Sequence, residues 1–404
     1  MNLQQQLRSL VEEQFENVVK IRRILHQHPE LSFQEYQTST FIKAELDALE
    51  IPHTSIATTG VFAWIDGLRG AADDAIVLRA DMDGLPIQEM NEVDYRSMEE
   101  GVMHACGHDF HSANLLGVAA VLKSAASAFS GRVIFLFQPA EERIPGGAQE
   151  VLRAGVFEEH THRIKAVLGL HVSPRLDTGK VGICPGRFMA SSDEFYIRIK
   201  GKGGHAAEPH QAVDPVYIGA QLLSSLQQII SRRADPSVPS VLTFGRFIGN
   251  GAANVIPEEV FMEGTFRTMD EQWRQVALKQ ITQMIREIPA VLGAEVELEV
   301  RHGYPFLYND PELAGVARGL FEEILGSDTV NEIGIWMAAE DFAHYSRQYP
   351  AVFFLIGIRN EMKKQQFGLH NARFDVDEGA FMHAMLSMAY AAINILDKDN
   401  SNSL

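Results

Sequence analysis

Cysteine and basic residues are both scarce in this 404-residue sequence, which contains two cysteines and 35 lysines and arginines against 53 aspartates and glutamates. The two cysteines, Cys106 and Cys184, can form at most one disulfide, so a disulfide framework is excluded. The formal net charge of −18 repels phosphate backbones and anionic membrane surfaces. Nucleic acid is therefore not an expected partner.

Long hydrophobic runs are also missing. No apolar stretch approaches the ~20 residues that a membrane-spanning helix needs. The N-terminal segment places apolar residues at helical spacing with charges between them, which predicts an amphipathic helix rather than a signal peptide. We therefore expect a soluble, cytoplasmic protein without a membrane partner, whose 46% hydrophobic content supplies a sizeable core.

Short apolar segments alternate with helical ones over most of the chain. Helical periodicity is found, for example, at 111–126 and 146–156. The apolar segments are rich in β-branched and aromatic residues, and they predict strands buried in a largely parallel sheet at 75–80, 132–138, 166–170 and 351–357. This order indicates an α/β fold, a mixed sheet flanked by helices.

A different pattern begins near residue 188. Alternating strands and amphipathic helices follow in the order strand, helix, two strands, helix, strand, at 194–204, 214–233, 240–249, 259–268, 271–288 and 294–303. Asp214 and Pro215 are typical of a helix start. This order predicts an α+β, ferredoxin-like domain inserted at 188–300 into a discontinuous parent domain of residues 1–187 and 301–404.

Acids and histidines follow the predicted buried strands. In an open α/β sheet, ligands bind beyond the carboxyl ends of the strands. The residues at these positions are Asp81, Asp83, Glu141, Glu142, His171 and His370. The segment MHACGHDFH (103–111) adds Cys106 and His108 just before a helix, whose N-terminal amides are expected to lower the pKa of Cys106. Each residue alone would be an ordinary loop or core residue, but together they predict a metal site.

A second motif, GKGGHA at 201–206, fits the dinucleotide-binding pattern G-x-G-x-x-G/A. The strand before it alternates, the next predicted helix begins only at 214, and no acidic residue stands at the required distance of about 20 residues. A nicotinamide enzyme is therefore disfavoured. The glycines instead allow a sharp turn that presents His205.

Many segments, in order along the chain, resemble one known group of enzymes. They are RRILHQHPELSFQE (22–35), LRADMDGLPI (78–87), MHACGHDFH (103–111), FQPAEE (137–142), GLHV (169–172), GKGGHAAEPH (201–210), NVIP (254–257), GTFR (264–267), AAEDFAHY (338–345) and LHNARFD (369–375). The group is the co-catalytic metalloaminoacylase and carboxypeptidase superfamily. Within it, the chain looks like the N-acyl-amino-acid amidohydrolase branch, which includes hippurate hydrolases, auxin-conjugate hydrolases and N-acetyl-diaminopimelate deacetylases.

The resemblance implies two divalent metal ions per subunit. The residues that match the family's metal ligands are Cys106, His108, Glu142, His171 and His370. Cys106 would bridge the two ions, and this mixed set of donors would suit zinc, manganese, cobalt or nickel. Asp83 matches an acid that orients a ligand histidine, and Asp81 stands where related branches have a ligand histidine, so its role stays open.

Further matches concern catalysis and substrate binding. Glu141 matches the family's general base. His205 matches a histidine that stabilises the oxyanion in the opposite subunit of a homodimer formed through the inserted lid domain. Asn254 and Arg267 match positions that bind the substrate carboxylate or the oxyanion. The remaining polar residues of 103–111 are interpreted as outer residues of the site or helix-surface histidines, His104 and His111, and as a helix cap, Asp109.

The resemblance predicts a small-molecule hydrolase. The expected reaction splits the amide of an N-acyl-L-amino acid into a carboxylic acid and an amino acid, with Glu141 taking a proton from a metal-activated water. A dipeptidase or carboxypeptidase on the same scaffold is the alternative within enzymes. A non-catalytic binding protein is the alternative outside them, and the intact set of putative ligands argues against it.

Overall fold

The structure of the protein, a computed structural model, describes residues 2–70, 73–159, 162–363 and 367–397. It forms two compact units, one within spans 1–188, 308–335 and 341–404, the other within 189–307 and 336–340.

The second unit continues beyond residue 300, where the sequence placed the end of the inserted domain. The Gly303 amide donates to the Ser192 carbonyl at 2.9 Å, and the Phe306 amide donates to Glu271 Oε1 at 3.0 Å. These bonds tie residues 303–306 to the second unit, so the boundary of this unit lies near 307 rather than 300.

The helices and strands follow the alternation seen in the sequence. The helices are α1 Leu3–Gln27, α2 Tyr36–Ala48, α3 His108–Ser124, α4 Gly147–Arg153, α5 Val156–Glu159, α6 Pro215–Gln228, α7 Glu271–Val291, α8 Pro311–Leu325, α9 Ala343–Ser346 and α10 Phe381–Asp397. The strands are β1 His53–Ile56, β2 Gly60–Asp66, β3 Asp74–Asp81, β4 Arg132–Gln138, β5 Arg163–Asp177, β6 Val181–Ile183, β7 Gly186–Met189, β8 Asp193–Lys200, β9 Gly204–His205, β10 Ser240–Ile248, β11 Val255–Ile256, β12 Glu259–Thr268, β13 Glu295–His302, β14 Leu307–Asn309, β15 Val330–Glu332 and β16 Ala351–Arg359.

The first unit is built on a mixed sheet with the strand order β1-β2-β4-β3-β5-β16-β6-β15. The four predicted apolar strands are its centre, β4, β3, β5 and β16, and these neighbours run parallel to one another. The side chains of β3, β4 and β16 and of the 166–173 part of β5 are almost all buried, as expected for strands covered on both faces. The predicted α/β class with a mixed sheet is confirmed.

Helices α3 and α10 pack on the centre of this sheet, and α1 packs on both of these helices. Helix α3 packs against β3 and β5 and in turn against α1, and it is buried all round from His108 to Leu122. The expectation that no apolar stretch approaches membrane-spanning length is wrong: within the described residues, one helical stretch, Glu378–Asp397, is long and apolar enough to cross a membrane. However, 78% of its apolar window is buried inside the protein. It packs against α1, α3 and α8 and serves as a core helix.

The second unit is an antiparallel sheet with the order β10-β12-β8-β13. The apolar sides of α6 and α7 pack on it in a separate core. Asp214 caps α6 by accepting from the amides of Val216 and Tyr217, with Pro215 at the first helical position, as the sequence predicts. Strands β9 and β11 form a two-stranded pair in which His205 lies opposite Val255.

A buried ion-pair cluster joins α1 to α3. Arg22 Nε lies 2.7 Å from Asp109 Oδ2, and Arg22 Nη2 lies 2.7 Å from Asp375 Oδ1. His26 Nδ1 also contacts Asp109 Oδ2, at 2.8 Å. The prediction that Asp109 caps α3 is wrong, because its carboxylate pairs with Arg22 and the helix starts after Gly107.

Replacing Arg22 by methionine should lower the free energy of unfolding by about 3–5 kcal/mol, because it leaves Asp109 and Asp375 without their buried counter-ion. Urea denaturation measures the change. Arg23→Met is the matched control, since Arg23 is 46% exposed in its side chain and pairs with Glu378 at the surface. The free energy of unfolding of Arg23→Met should fall by less than about 1 kcal/mol. Equal losses in the two variants would contradict the account.

Candidate metal centre

The carboxylate of Asp83 organises the centre of the candidate site. Asp83 follows β3 and is almost fully buried. It accepts hydrogen bonds from the backbone amides of Glu141 at 3.1 Å and Glu142 at 3.0 Å, and from Ser32 Oγ at 2.7 Å. His108 Nδ1 lies 3.1 Å from its Oδ1. One side chain thus holds the glutamate pair and His108 in a common frame.

His108 is the first residue of α3 and points its other ring nitrogen into the site. Its Nε2 atom is buried and has no hydrogen-bond partner among the described residues. The nearest carboxylate oxygens belong to Asp81 at 3.7 Å, Glu142 at 3.9 Å and Glu141 at 4.0 Å. These distances are too long for hydrogen bonds and leave room for a cation between the groups.

Cys106 reaches the same place from the loop before α3. Its Sγ atom lies 3.4 Å from His171 Nε2. Between Cys106 and His108, Gly107 has a φ of +91°, and a Cβ atom there would lie 2.5 Å from Val172 Cγ2. Only glycine fits this position, which sets the two flanking side chains toward the site.

His171 lies inside β5, not after its end as the sequence suggested, because β5 continues to Asp177. The neighbouring strand β3 ends at Asp81, opposite Gln138 of β4. The ladder between β3 and β5 ends at the pair Arg79 and Gly169, so His171 stands beyond that ladder. Because β5 extends beyond the end of β3, it presents His171 at the sheet edge, as a loop after the strand would.

Glu142 and His370 complete the cluster. His370 Nε2 lies 3.2 Å from Glu142 Oε1. The His370 amide donates to the Ala105 carbonyl at 2.8 Å, which ties the loop after β16 to the Cys106 loop. All five residues that match metal ligands therefore meet in the first unit, in the overlapping groups Cys106–His108–His171 and Cys106–Glu142–His370.

The buried carboxylates of this site favour the binding of positive charge, as the pKa values of His108 and Cys106 show. Burial lowers the pKa of His108, but Asp81 and Asp83 outweigh it and raise that pKa to about 10. Burial raises the pKa of the Cys106 thiol well above its usual range, and the Glu142 carboxylate raises it further. The expected lowering of this pKa by the α3 N-terminus is therefore wrong for the protein groups alone.

These residues fit a pair of divalent metal ions. Two ligand atoms bound to one zinc-like ion at about 2.0–2.3 Å lie roughly 3.4 Å apart in tetrahedral geometry. The Cys106–His171 and His370–Glu142 pairs, at 3.4 and 3.2 Å, match this spacing. His171 Nδ1 donates to the Val172 carbonyl at 2.7 Å. Histidines that bind a metal through one ring nitrogen commonly donate the proton of the other nitrogen to a backbone carbonyl in this way.

The residues predicted from the inserted domain lie in the second unit. His205 and Asn254 line one pocket of about 710 Å³ together with Gly203, Gly204, Val255 and Phe261. The Ala206 amide donates to the Asn254 carbonyl at 3.1 Å. Arg267, a half-buried residue of β12 opposite Val241, is not among the residues that line this pocket.

The sequence left His104 and His111 as either outer residues of the site or helix-surface residues. His104 and His111 are both buried, so neither is a helix-surface residue. His111 Nδ1 contacts Asp81 Oδ1 at 2.6 Å, and Arg79 Nη1 contacts Asp81 Oδ2 at 2.7 Å. The spacing of His108 and His111, three residues apart on one helix, was the signal that could have shown that both face the site.

A buried carboxylate also holds the turn that carries the glutamate pair. Ala140 has a φ of +53°, which is uncommon for a residue with a side chain. Its amide donates to Glu35 Oε1 at 2.8 Å, and Thr59 Oγ1 donates to Glu35 Oε2 at 2.6 Å. Glu35 belongs to the segment 22–35, so the function of that motif is in part to support the turn before Glu141.

The two-unit fold and its cluster of thiol, imidazole and carboxylate donors define a metal-dependent hydrolase. Residues 77–392 match the model of a family described as peptidase family M20/M25/M40. The chain belongs to this family, whose named members include hydrolases and amidohydrolases. The predicted resemblance is confirmed, and so is its consequence that the protein is a metal-dependent amide hydrolase.

Two curated relatives and one solved structure illustrate the similarity. An N-acyl-L-amino acid amidohydrolase of Geobacillus stearothermophilus is 42% identical over 309 residues, 76% of this chain and 82% of that protein. Thermostable carboxypeptidase 2 of Saccharolobus solfataricus is 34% identical over 400 residues, 97% of this chain and 100% of that protein. The structure of the YXEP protein of Bacillus subtilis, described as a dinuclear metal-binding M20 peptidase, has a TM-score of 0.79 and 34% identity, and the match covers 96% and 99% of the two chains.

Replacing Gly107 by alanine should reduce the metal content of the purified protein. The added Cβ would clash with Val172, and the backbone φ of +91° at residue 107 costs an alanine about 1–2 kcal/mol. The backbone would therefore shift, and the flanking Cys106 and His108 would both move. Elemental analysis after dialysis measures metal per chain. The control is Gly319→Ala in α8, where no atom lies within 4 Å of the new methyl group. It should bind metal normally and gain up to about 1 kcal/mol of stability. Normal metal content in Gly107→Ala would refute this role.

Proposed function

We propose that the protein hydrolyses the amide bond of N-acyl-L-amino acids and releases a carboxylic acid and a free amino acid. The observation that carries the proposal is the convergence of five metal-capable side chains around Glu141 at one edge of the first sheet. The relative named as an N-acyl-L-amino acid amidohydrolase supports the choice of substrate. The relative named as a carboxypeptidase keeps a peptidase as the second candidate.

The proposed ligands of two divalent metal ions are Cys106, His108, Glu142, His171 and His370. Cys106 is the proposed bridge, because it belongs to both groups of potential ligands described above. Two divalent metal ions bound there would lower the pKa of a water molecule and polarise the amide carbonyl. Zinc, manganese, cobalt and nickel all accept such donors.

Glu141 is the proposed general base. Its side chain is 7% exposed, and its Oε1 lies 3.4 Å from the Asp341 amide. The Asp83 carboxylate fixes its backbone and that of Glu142, so the two glutamates are held side by side in different roles. Glu141 takes a proton from the attacking water and passes it to the departing amine.

His205 is the proposed donor to the oxyanion. The Ala207 amide lies 3.1 Å from His205 Nδ1 and donates to it, which leaves the ring proton on Nε2. The side chain is exposed, so Nε2 is available as a hydrogen-bond donor. We propose that it serves the active site of the opposite subunit, with Asn254 and Arg267 binding the substrate carboxylate or the oxyanion.

A homodimer formed through the second unit is part of this proposal. Strand β10 is an edge of the antiparallel sheet and exposes Val241 and Phe247. An unpaired edge with exposed apolar side chains is suited to pairing with a second copy. We further propose that the enzyme works in the cytoplasm on small molecules.

The test of the function is amine release from N-acetyl, N-benzoyl and indoleacetyl amino acids, measured beside unblocked dipeptides. The metal-free protein is reconstituted separately with zinc, manganese and cobalt. The proposal expects metal-dependent cleavage of the acylated substrates and little cleavage of dipeptides. A preference for dipeptides would support the peptidase instead.

Glu141→Gln provides the internal control for this assay. The variant should keep its metal content and lose about 10²- to 10⁴-fold in kcat, because the amide of glutamine cannot accept the proton. Glu150→Gln, an ordinary surface change on α4, should leave the rate unchanged. A Glu141→Gln enzyme at the wild-type rate would refute the role of Glu141.

Mixing two inactive variants tests whether His205 acts across the dimer. Glu141→Gln and His205→Ala are each expected to be slow. If subunits exchange randomly, half of the dimers are mixed and each has one site with both residues, so about one quarter of the wild-type rate returns. Subunit exchange is verified with differently tagged chains. Verified exchange without recovery would show that His205 acts within its own chain.

A further inference from the structure

His111 contacts the strand that carries His171, and the two imidazole rings also pack edge to face at a centroid distance of 4.7 Å. The Val172 amide donates to His111 Nε2 at 3.0 Å. The ladder between β3 and β5 ends at Arg79 and Gly169, before Val172. A helix side chain therefore serves as hydrogen-bond acceptor for this part of β5.

The backbone fixes the tautomer of His111. An amide is always a donor, so His111 Nε2 must be the acceptor and the ring proton lies on Nδ1. That nitrogen faces Asp81 Oδ1 at 2.6 Å. Asp81 is held in turn by Arg79 Nη1 at 2.7 Å. His111 is thus anchored at one end by a buried ion pair and at the other by β5.

The carbonyl of Val172 in turn holds the ring of His171. His171 Nδ1 donates to the Val172 carbonyl at 2.7 Å, so its proton lies on Nδ1 and Nε2 keeps its lone pair. That lone pair is the one directed toward Cys106 Sγ at 3.4 Å. The amide of Val172 is bound by His111 and its carbonyl by His171.

We propose that His111 is a positioning residue that holds the Val172 backbone, through its Nε2 acceptor, so that His171 Nε2 is presented to the metal. This inference rests on the proposed function, because it takes His171 as a ligand. It also gives Asp81 a role: Asp81 orients His111 instead of binding metal itself. Groups that orient ligand histidines in this way are commonly worth 10- to 100-fold in metal affinity, about the effect expected here.

Two substitutions separate the two ends of His111. In His111→Gln, the amide oxygen reaches the position of Nε2 and can accept from Val172. In His111→Asn, the shorter amide can still donate to Asp81 and no longer reaches Val172. Cobalt(II) binding to the metal-free protein is measured by chelator competition, and the thiolate-to-cobalt absorption band reports Cys106 beside the ion.

We expect His111→Asn to weaken cobalt binding by about 10- to 100-fold and to alter the thiolate band, and His111→Gln to stay near the wild type. Ser112→Ala is the matched control. Ser112 is also buried on α3, and its Oγ donates to the Asp81 carbonyl at 2.7 Å rather than to the Val172 backbone. It should leave affinity and spectrum unchanged. Thermal unfolding of all three variants verifies that each is folded.

The outcomes distinguish this inference from the proposed function. If the wild type binds no cobalt and shows no thiolate band, the metal site itself is refuted. If the wild type binds cobalt and the Gln and Asn variants weaken binding equally, or neither does, the role of the His111 acceptor is overturned while the metal site stands. Weaker binding in His111→Asn with rescue in His111→Gln supports the inference.

Discussion

The rest of the site depends on the buried carboxylate of Asp83. It binds two consecutive backbone amides, the Ser32 hydroxyl and the His108 ring at once. Burying a carboxylate is unfavourable unless its oxygens are satisfied, and here four donors satisfy them. Because these donors come from separate segments of the chain, one acid fixes the distance between the glutamate pair and the first turn of α3.

The other acids near Asp83 include two kinds, those paired with an arginine and those that face the His108 ring. Asp81 is paired with Arg79, and Asp109 with Arg22, so both have protein counter-ions. Burial opposes ionisation of Asp81, yet His108, His111 and Arg79 hold its pKa well below the usual range. Glu141 and Glu142 face the Nε2 atom of His108, for which the described residues supply no hydrogen-bond partner. The fold thus neutralises Asp81 and Asp109 with arginine and leaves an opening for a metal ion beside Glu141 and Glu142.

Much of the first unit could be predicted from local pattern. The four apolar segments became the central strands because runs buried on both faces are typical of parallel sheets. Glu142, His171 and His370 were found because they follow those strands, and Cys106 and His108 were found in the segment before α3. His171 was placed after a strand end, whereas β5 runs on past it, since the length of a strand is set by its neighbours. Asp109 was interpreted as a cap because a capping residue and a buried ion pair look alike without Arg22 beside them in the sequence.

The sequence by itself determined the fold class, the family and the residue types available for a metal centre, because these depend on periodicity and on short motifs that lie within a few residues of each other. Only the tertiary structure decided which of those residues meet and what holds them. The bonds from Arg22 to Asp375, from Glu35 to Ala140 and from His111 to Val172 join segments far apart in the chain. Their distances depend on how helices and strands pack, and local sequence patterns do not encode that packing.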